Sequence, residues 1–197
     1  MSIRYPAVRL NNESPLATKK TDPRVWAGIN ANIRRERTVM ATKPTHEQAQ
    51  LHLQVYDLRR EARLRQARDW FQQNFRAKTV EDVMRIAPWG TEKGAFVGMV
   101  FGYWEQACSL LNYGLLHEGL FFETSGEFFG VWELLKPVVP EFRKQFRDPN
   151  MLINLEKAAK RFEKWSERRS PGSIAAMRQM MQQEASKESS KTASAKA

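Results

Sequence analysis

The sequence predicts an all-α fold, a compact bundle of about five to six helices between two basic ends. Apolar residues recur at helical spacing, and strand patterns are weak throughout. The aromatic residues are confined to one stretch: all eleven phenylalanines and five of the six tryptophans lie within residues 45–168. A stretch of that length can bury a hydrophobic core. We therefore predict a helical domain over residues 45–168, flanked by residues 1–44 and 169–197.

The net charge divides the chain at the same positions. Residues 1–44 carry a net charge of +6, residues 45–168 one of +1 and residues 169–197 one of +3. The basic character therefore belongs to the ends, and the predicted domain is nearly neutral. This disfavours nucleic-acid binding by the domain itself. A weak, non-specific association through Lys and Arg contacts to phosphate stays open as an alternative.

Residues 1–44 are polar and basic and have no sustained period, which predicts a disordered extension. The segment that begins at Met40 resembles an ordinary bacterial protein start. A second hypothesis is therefore that translation starts at Met40 and that residues 1–39 are not translated.

Two pairs of residues predict helix starts after this extension. A capping box of Thr45 and Gln48 begins a long first helix, which we expect to end near Phe75. Its expected buried face advances in steps of four and three, through Leu51, Val55, Leu58 and Ala62. Thr79 and Asp82 cap a second, short helix.

The central helix is expected at residues 92–115, because the start of this segment is apolar nearly all round. Helices over 127–135 and 138–146 follow at apolar spacing. Asp148 followed by Pro149 predicts the N-terminus of the last core helix, because proline favours the first helical position.

The C-terminal residues are expected to leave the core. Residues 170–173 are predicted to form a linker. The spacing of Ile174, Met177 and Met181 predicts a short, detached, Met-rich helix after it. The residues from Glu184 onward are of low complexity and predict a disordered tail.

The first helix holds the densest cluster of positive charge, which includes Arg59, Arg60 and Arg63. These arginines spread around the helix and alternate with acidic residues, so pairing inside the fold is favoured over an RNA or phosphate surface. Residues 79–135 have a net charge of −6 and could supply the partners. Arg68 is the best candidate for a buried, paired arginine, since apolar residues flank it.

Glu105 follows the apolar run of the central helix. Buried charges are normally paired, so we expect an arginine partner for Glu105 rather than acid–base catalysis. The three histidines are too far apart in sequence for a local metal site, and Cys108 has no second sulfur near it. We expect no enzymatic activity, no cofactor and no metal, and we interpret Cys108 as an inert core thiol.

Gly94, Gly98 and Gly102 recur at every fourth position of the expected central helix. Each glycine in a helix interior costs roughly 1 kcal/mol relative to alanine, so something should offset the cost. Close packing of another helix within the domain is the preferred explanation, and a homodimer interface is the alternative.

The sequence has no apolar run of the about 20 residues that a bilayer span needs. It also lacks a secretory signal, and its single cysteine cannot form an internal disulfide. We expect a soluble, cytoplasmic protein.

Several short blocks resemble an uncharacterised bacterial domain-of-unknown-function family of small helical proteins. The resemblance covers about residues 45–165 and rests on residues 56–60, 67–71, 103–105, 110–115, 120–121 and 131–132. It implies no catalytic residues. It also implies that many relatives carry a membrane helix before this domain, and this sequence shows no such helix.

The sequence does not identify the function. We favour a non-catalytic module that binds an unknown protein partner in the bacterial cytoplasm. The residues that could form the partner surface are Arg59, Arg60, Arg63, Ile174, Met177 and Met181. A homodimer is a further possibility. The alternative class is the weak nucleic-acid association through the basic ends and the arginine-rich first helix.

Overall fold

The computed structural model describes residues 43–194, with side chains for residues 43–183. The predictions for residues 1–42, including the hypothesis about Met40, lie outside this part of the chain. Residues 43–194 contain helices, turns and loops without a strand, which confirms the all-α class. They form nine helices rather than five to six. The helices are α1 (His46–Arg59), α2 (Ala62–Asn74), α3 (Val80–Ile86), α4 (Glu92–Asn112), α5 (Glu118–Thr124), α6 (Glu127–Leu135), α7 (Val139–Gln145), α8 (Ile153–Arg169) and α9 (Ser173–Ser194).

The first predicted helix is divided into α1 and α2. Its capping box of Thr45 and Gln48 is present. The helix ends at Arg59, however, because the Glu61 carboxylate accepts hydrogen bonds from the backbone N–H groups of Arg63 and Leu64 and so caps a new helix. The break turns Leu58 into an exposed residue, although its spacing predicted burial.

The predicted start of the last core helix was wrong. The Asp148 carboxylate accepts a hydrogen bond from the backbone N–H of Asn150 in a turn. Helix α8 begins only at Ile153, after Leu152 in a left-handed conformation with φ 57°. Leu152 offers no capping side chain, so the first N–H groups of α8 need acceptors from elsewhere.

Helix α9 is not detached, which corrects the prediction for Ile174, Met177 and Met181. Ile174 is buried in the core and Met177 packs against it. The Arg178 guanidinium binds Glu133 of α6 and Glu163 of α8. The backbone of α9 continues to Ser194, through residues expected to be disordered. The alanine, glutamate and lysine residues of this stretch favour helix.

The core is aromatic and centres on α4, which packs along α2 and α8. Trp104 of α4 is 1 % exposed and lies 6.2 Å from the ring of Phe128. Phe128 contacts Phe162 of α8 at 5.3 Å with its ring edge. Burial of such rings accounts for much of the favourable free energy of folding. Within the described residues, no helix is long and apolar enough to cross a bilayer.

Helix α1 is held to the bundle largely by polar contacts. The side chain of Gln48 donates to the carbonyl of Gly114, and the hydroxyl of Tyr103 donates to the carbonyl of Val55 at 2.8 Å. Burial raises the pKa of Tyr103 to about 12, so this donor keeps its proton. His52 is buried, with its Nε2 3.0 Å from the Thr124 hydroxyl. The Nδ1 atom of His52 has no hydrogen-bond partner.

We expect the unfolding free energy of the protein to fall as the pH is lowered from about 7 to about 5. Burial lowers the pKa of His52 below the ordinary 6.5. The unfolded chain therefore binds a proton at His52 at a pH where the folded chain does not, and acid favours unfolding. Urea titrations at several pH values should show this slope in wild type, a flatter slope in His52→Gln and an unchanged slope in the exposed-residue control His46→Gln. Equal slopes in all three proteins would contradict the prediction.

Candidate interaction surface

An uncharged groove lies where the α3–α4 turn, the start of α4 and the end of α7 meet. Its volume is about 70 Å³, and its lining side chains are apolar or glycine. They include Trp89, Gly98, Phe101, Phe142, Phe146 and Met151. A groove of this composition recognises apolar side chains rather than charged or phosphorylated groups.

Two aromatic rings form an exposed rim on this groove. Trp89 is 68 % exposed and Phe146 is 48 % exposed. The rings meet edge to face, with centroids 5.9 Å apart. The Pro88 carbonyl accepts hydrogen bonds from the backbone N–H and the hydroxyl of Thr91, which fixes the turn that presents Trp89. Fixed aromatic side chains that remain in water are typical of binding surfaces.

The three glycines of α4 have different surroundings. A Cβ atom at Gly94 would overlap the carbonyl oxygen of Pro88 and lie 3.2 Å from its carbonyl carbon. Gly98 and Gly102 have no atom within 4 Å of the same position. The predicted close helix packing is therefore wrong at Gly98 and Gly102, and at Gly94 the close neighbour is a turn rather than a helix. Gly98 lines the groove, so the glycines leave part of α4 open.

Alanine substitutions at Gly94 and Gly102 should change the unfolding free energy in opposite directions. Gly94→Ala is expected to lower the unfolding free energy by about 1–3 kcal/mol, because the Pro88 backbone must move. Gly102→Ala is expected to raise it by about 0.5–1 kcal/mol, because alanine favours helix and meets open space. Chemical denaturation of both variants in dilute solution measures the contrast. A lower stability of Gly102→Ala would mean that its face is covered within the chain.

Two arginines of the arginine-rich segment, Arg59 and Arg68, are paired inside the fold. Arg59 donates to the Glu127 carboxylate at 2.7 Å, and Arg68 forms a bidentate pair with the same carboxylate. Burial alone lowers the pKa of Arg68, but the hydrogen bond and charge of Glu127 raise it overall. Arg63 pairs with Glu92 at 3.0 Å. Arg60 stays exposed, with its guanidinium 6.0 Å from the ring centroid of Tyr56, so Arg59 alone of the three predicted surface arginines is held inside the fold.

Glu105 is bonded, but not to an arginine as predicted. Its Oε1 accepts hydrogen bonds from the backbone and side-chain nitrogens of Asn154, at 3.0 and 2.8 Å. Its Oε2 accepts one from the backbone N–H of Leu155 at 2.8 Å. The carboxylate thus supplies, from α4, the cap that α8 lacks, where a negative charge is favoured by the helix dipole. Arg68 has the predicted burial and pairing, but its partner is Glu127.

A second cleft lies between α2, α6 and α9. Its two adjoining parts have volumes of about 250 and 310 Å³ and share Arg76, Leu134 and Met181. Its walls carry charged side chains, including Arg178, which is engaged with Glu133 and Glu163. The cleft therefore carries charged groups beside apolar ones, whereas the lining of the Trp89 groove is uncharged.

Neither the Trp89 groove nor the second cleft is lined by Cys108 or by a histidine. Cys108 is buried, and burial raises the pKa of its thiol well above the ordinary value. Within residues 43–183, no three His, Cys, Asp or Glu side chains come together as metal ligands. The groove lining contains no titratable side chain of the acid–base type.

Sequence reasoning missed the Trp89–Phe146 rim. Trp89 was not among the residues singled out from the sequence, and Phe146 was placed at the end of the helix expected over 138–146. Pro88 and Gly90 around Trp89 were the available signal, because a large aromatic residue in a tight turn has little room to fold inward.

Comparison with known proteins gives one result. Residues 44–165 match the family model described as a domain of unknown function (DUF4760). Neither the curated proteins nor the solved structures gave a match.

Proposed function

We propose that this chain, which belongs to the DUF4760 domain-of-unknown-function family, is a non-catalytic helical interaction module. In this proposal it binds an apolar helical surface of a protein through the Trp89 groove. The observation that carries the proposal is the exposed rim of Trp89 and Phe146 on an uncharged groove. Tryptophan dominates the energetics of many protein interfaces. As part of the proposal we place the protein in the cytoplasm, because its sole cysteine is a buried thiol and no disulfide is needed.

The bonding of the acidic side chains supports a non-catalytic role. Glu105, which the sequence analysis singled out, and the partly buried Glu127 both have their two carboxylate oxygens bonded. General acid–base catalysis needs a titratable group within reach of a bound substrate. The groove offers apolar contact instead.

The pairing of the arginines favours a protein partner over nucleic acid. A phosphate-binding surface needs Lys and Arg side chains that are available to exchange counterions. Arg59 and Arg68 are instead held by the partly buried Glu127, and Arg63 forms an exposed pair with Glu92. The competing function therefore rests on the net charge of the chain ends and on the exposed Arg60, Arg63 and Arg65.

Affinity capture from native lysate tests the proposal, with the full chain as bait. Proteins retained by wild type should be lost at least about tenfold in Trp89→Ala and in Phe146→Ala, because removal of a central aromatic contact weakens an interface strongly. Leu53→Ala is the matched control, since Leu53 is 64 % exposed and lies on α1, which does not line the groove. It should retain the same proteins.

Two outcomes would overturn the proposal. In the first, Trp89→Ala and Phe146→Ala retain every protein that wild type retains. In the second, nuclease treatment or Arg60→Glu abolishes capture, which would assign the binding to nucleic acid and to phosphate contacts.

A further inference from the structure

We propose that the surface bound by the Trp89 groove is the same face of a second copy of this chain, with the two α4 helices packed across a twofold axis. This inference rests on the proposed function and names its partner. In a twofold interface each copy contributes one identical patch, so that patch must be complementary to itself.

The open face of α4 allows the approach of a second helix. Gly98 and Gly102 have no atom within 4 Å of a Cβ position, whereas the space at Gly94 is filled by Pro88. The unfavourable effect of two glycines in a helix interior is therefore not offset by packing in the described part of the chain. Glycines four residues apart let two helix backbones come close, and an identical helix provides the same flat strip.

The charge of the face favours self-association. Near a twofold axis each side chain lies close to its own copy, so an unpaired charge there would repel itself. The side chains in the middle of the open face of α4, Ala95, Gln106 and Ser109 with the two glycines, are uncharged. At the N-terminal end of this face, the exposed Glu92 is paired with Arg63. Glu105, on the same side of the helix, has its carboxylate bound to the start of α8. The middle of this face therefore brings no like charges together when two copies meet across it.

The groove beside this face supplies apolar contact area. Its lining is uncharged, and its exposed rim residues Trp89 and Phe146 adjoin the α4 strip through Gly98. A neutral strip flanked by aromatic residues matches the composition of homodimer interfaces, which are more apolar than the rest of a protein surface.

Sedimentation equilibrium tests the inference by comparing the full-length wild type with a variant that carries a charge on the open face of α4. Wild type is expected to be dimeric at concentrations on the order of 100 μM. Gly102→Lys is expected to be monomeric there, with a dissociation constant raised at least about tenfold, because the new like charges face each other across the axis. The matched control Gln66→Lys adds the same charge to an exposed position of α2 and should stay dimeric. Circular dichroism melting shows that each variant is folded.

A monomeric wild type at this concentration would overturn the inference, as would a Gly102→Lys protein that dimerises like wild type. These outcomes are distinct from failure of the proposed function. If wild type is monomeric while Trp89→Ala still loses a protein captured from lysate, the groove binds a different protein and only the dimer is refuted.

Discussion

Glu127→Ala is expected to lower the free energy of unfolding by about 3–5 kcal/mol, the cost of leaving buried charges without their partner. The Glu127 side chain is 12 % exposed and binds the guanidinium groups of both Arg59 and Arg68. Arg68 also donates to the backbone carbonyl of Arg59 and so joins α2 to the end of α1. Removal of one carboxylate therefore weakens the contacts among α1, α2 and α6 together.

Urea denaturation followed by circular dichroism measures the loss. Glu141→Ala is the matched control, because Glu141 forms an exposed pair with Lys144 and should contribute about 0–1 kcal/mol. The double variant Arg68→Met with Glu127→Met should be less destabilised than the sum of the two single variants, since it removes both members of the pair. A loss below about 1 kcal/mol in Glu127→Ala would show that the two arginines are hydrated in the folded state.

Glu105→Ala is expected to lower the unfolding free energy by about 2–4 kcal/mol, because it leaves buried donors without acceptors. The backbone N–H groups of Asn154 and Leu155 lose their acceptor, and Leu152 at the N-cap position has no side chain that could replace it. Asn154 also loses the contact that orients its amide, which accepts a hydrogen bond from Asn112. The contact between α4 and α8 is therefore weakened where α8 begins.

Hydrogen exchange provides a local measurement of this effect. Amides in the first turn of α8 should exchange faster in Glu105→Ala than in wild type, while amides of α2 change little beyond the global loss of stability. Glu123→Ala serves as the control, since Glu123 forms an exposed ion pair with Arg169. Uniform acceleration across all helices, without an added effect in α8, would argue against a capping role for Glu105.

The candidate site shows how far the sequence could be interpreted. A buried, paired Arg68 followed from its apolar neighbours, but its partner Glu127 lies 59 positions away and had several acidic competitors. Glu105 was correctly singled out, and its partner was wrong because backbone N–H groups do not show in a sequence. The glycines of α4 were predicted to share one role in helix packing. Gly94 instead packs against the Pro88 turn, while Gly98 and Gly102 are open, because sequence spacing does not show which segment approaches a residue.

The sequence by itself determined the all-α class, the capping boxes at Thr45 and Thr79 and the aromatic character of the core, because these depend on residues within about one helical turn of each other. Only the tertiary structure decided the partners of Arg68 and Glu105, the docking of Ile174 on the core, and the openness of α4 at Gly98 and Gly102. These features join segments that are distant in the chain. Which of several apolar or charged candidates meet is decided by the packing of whole helices, where a shift of a few ångströms exchanges one neighbour for another.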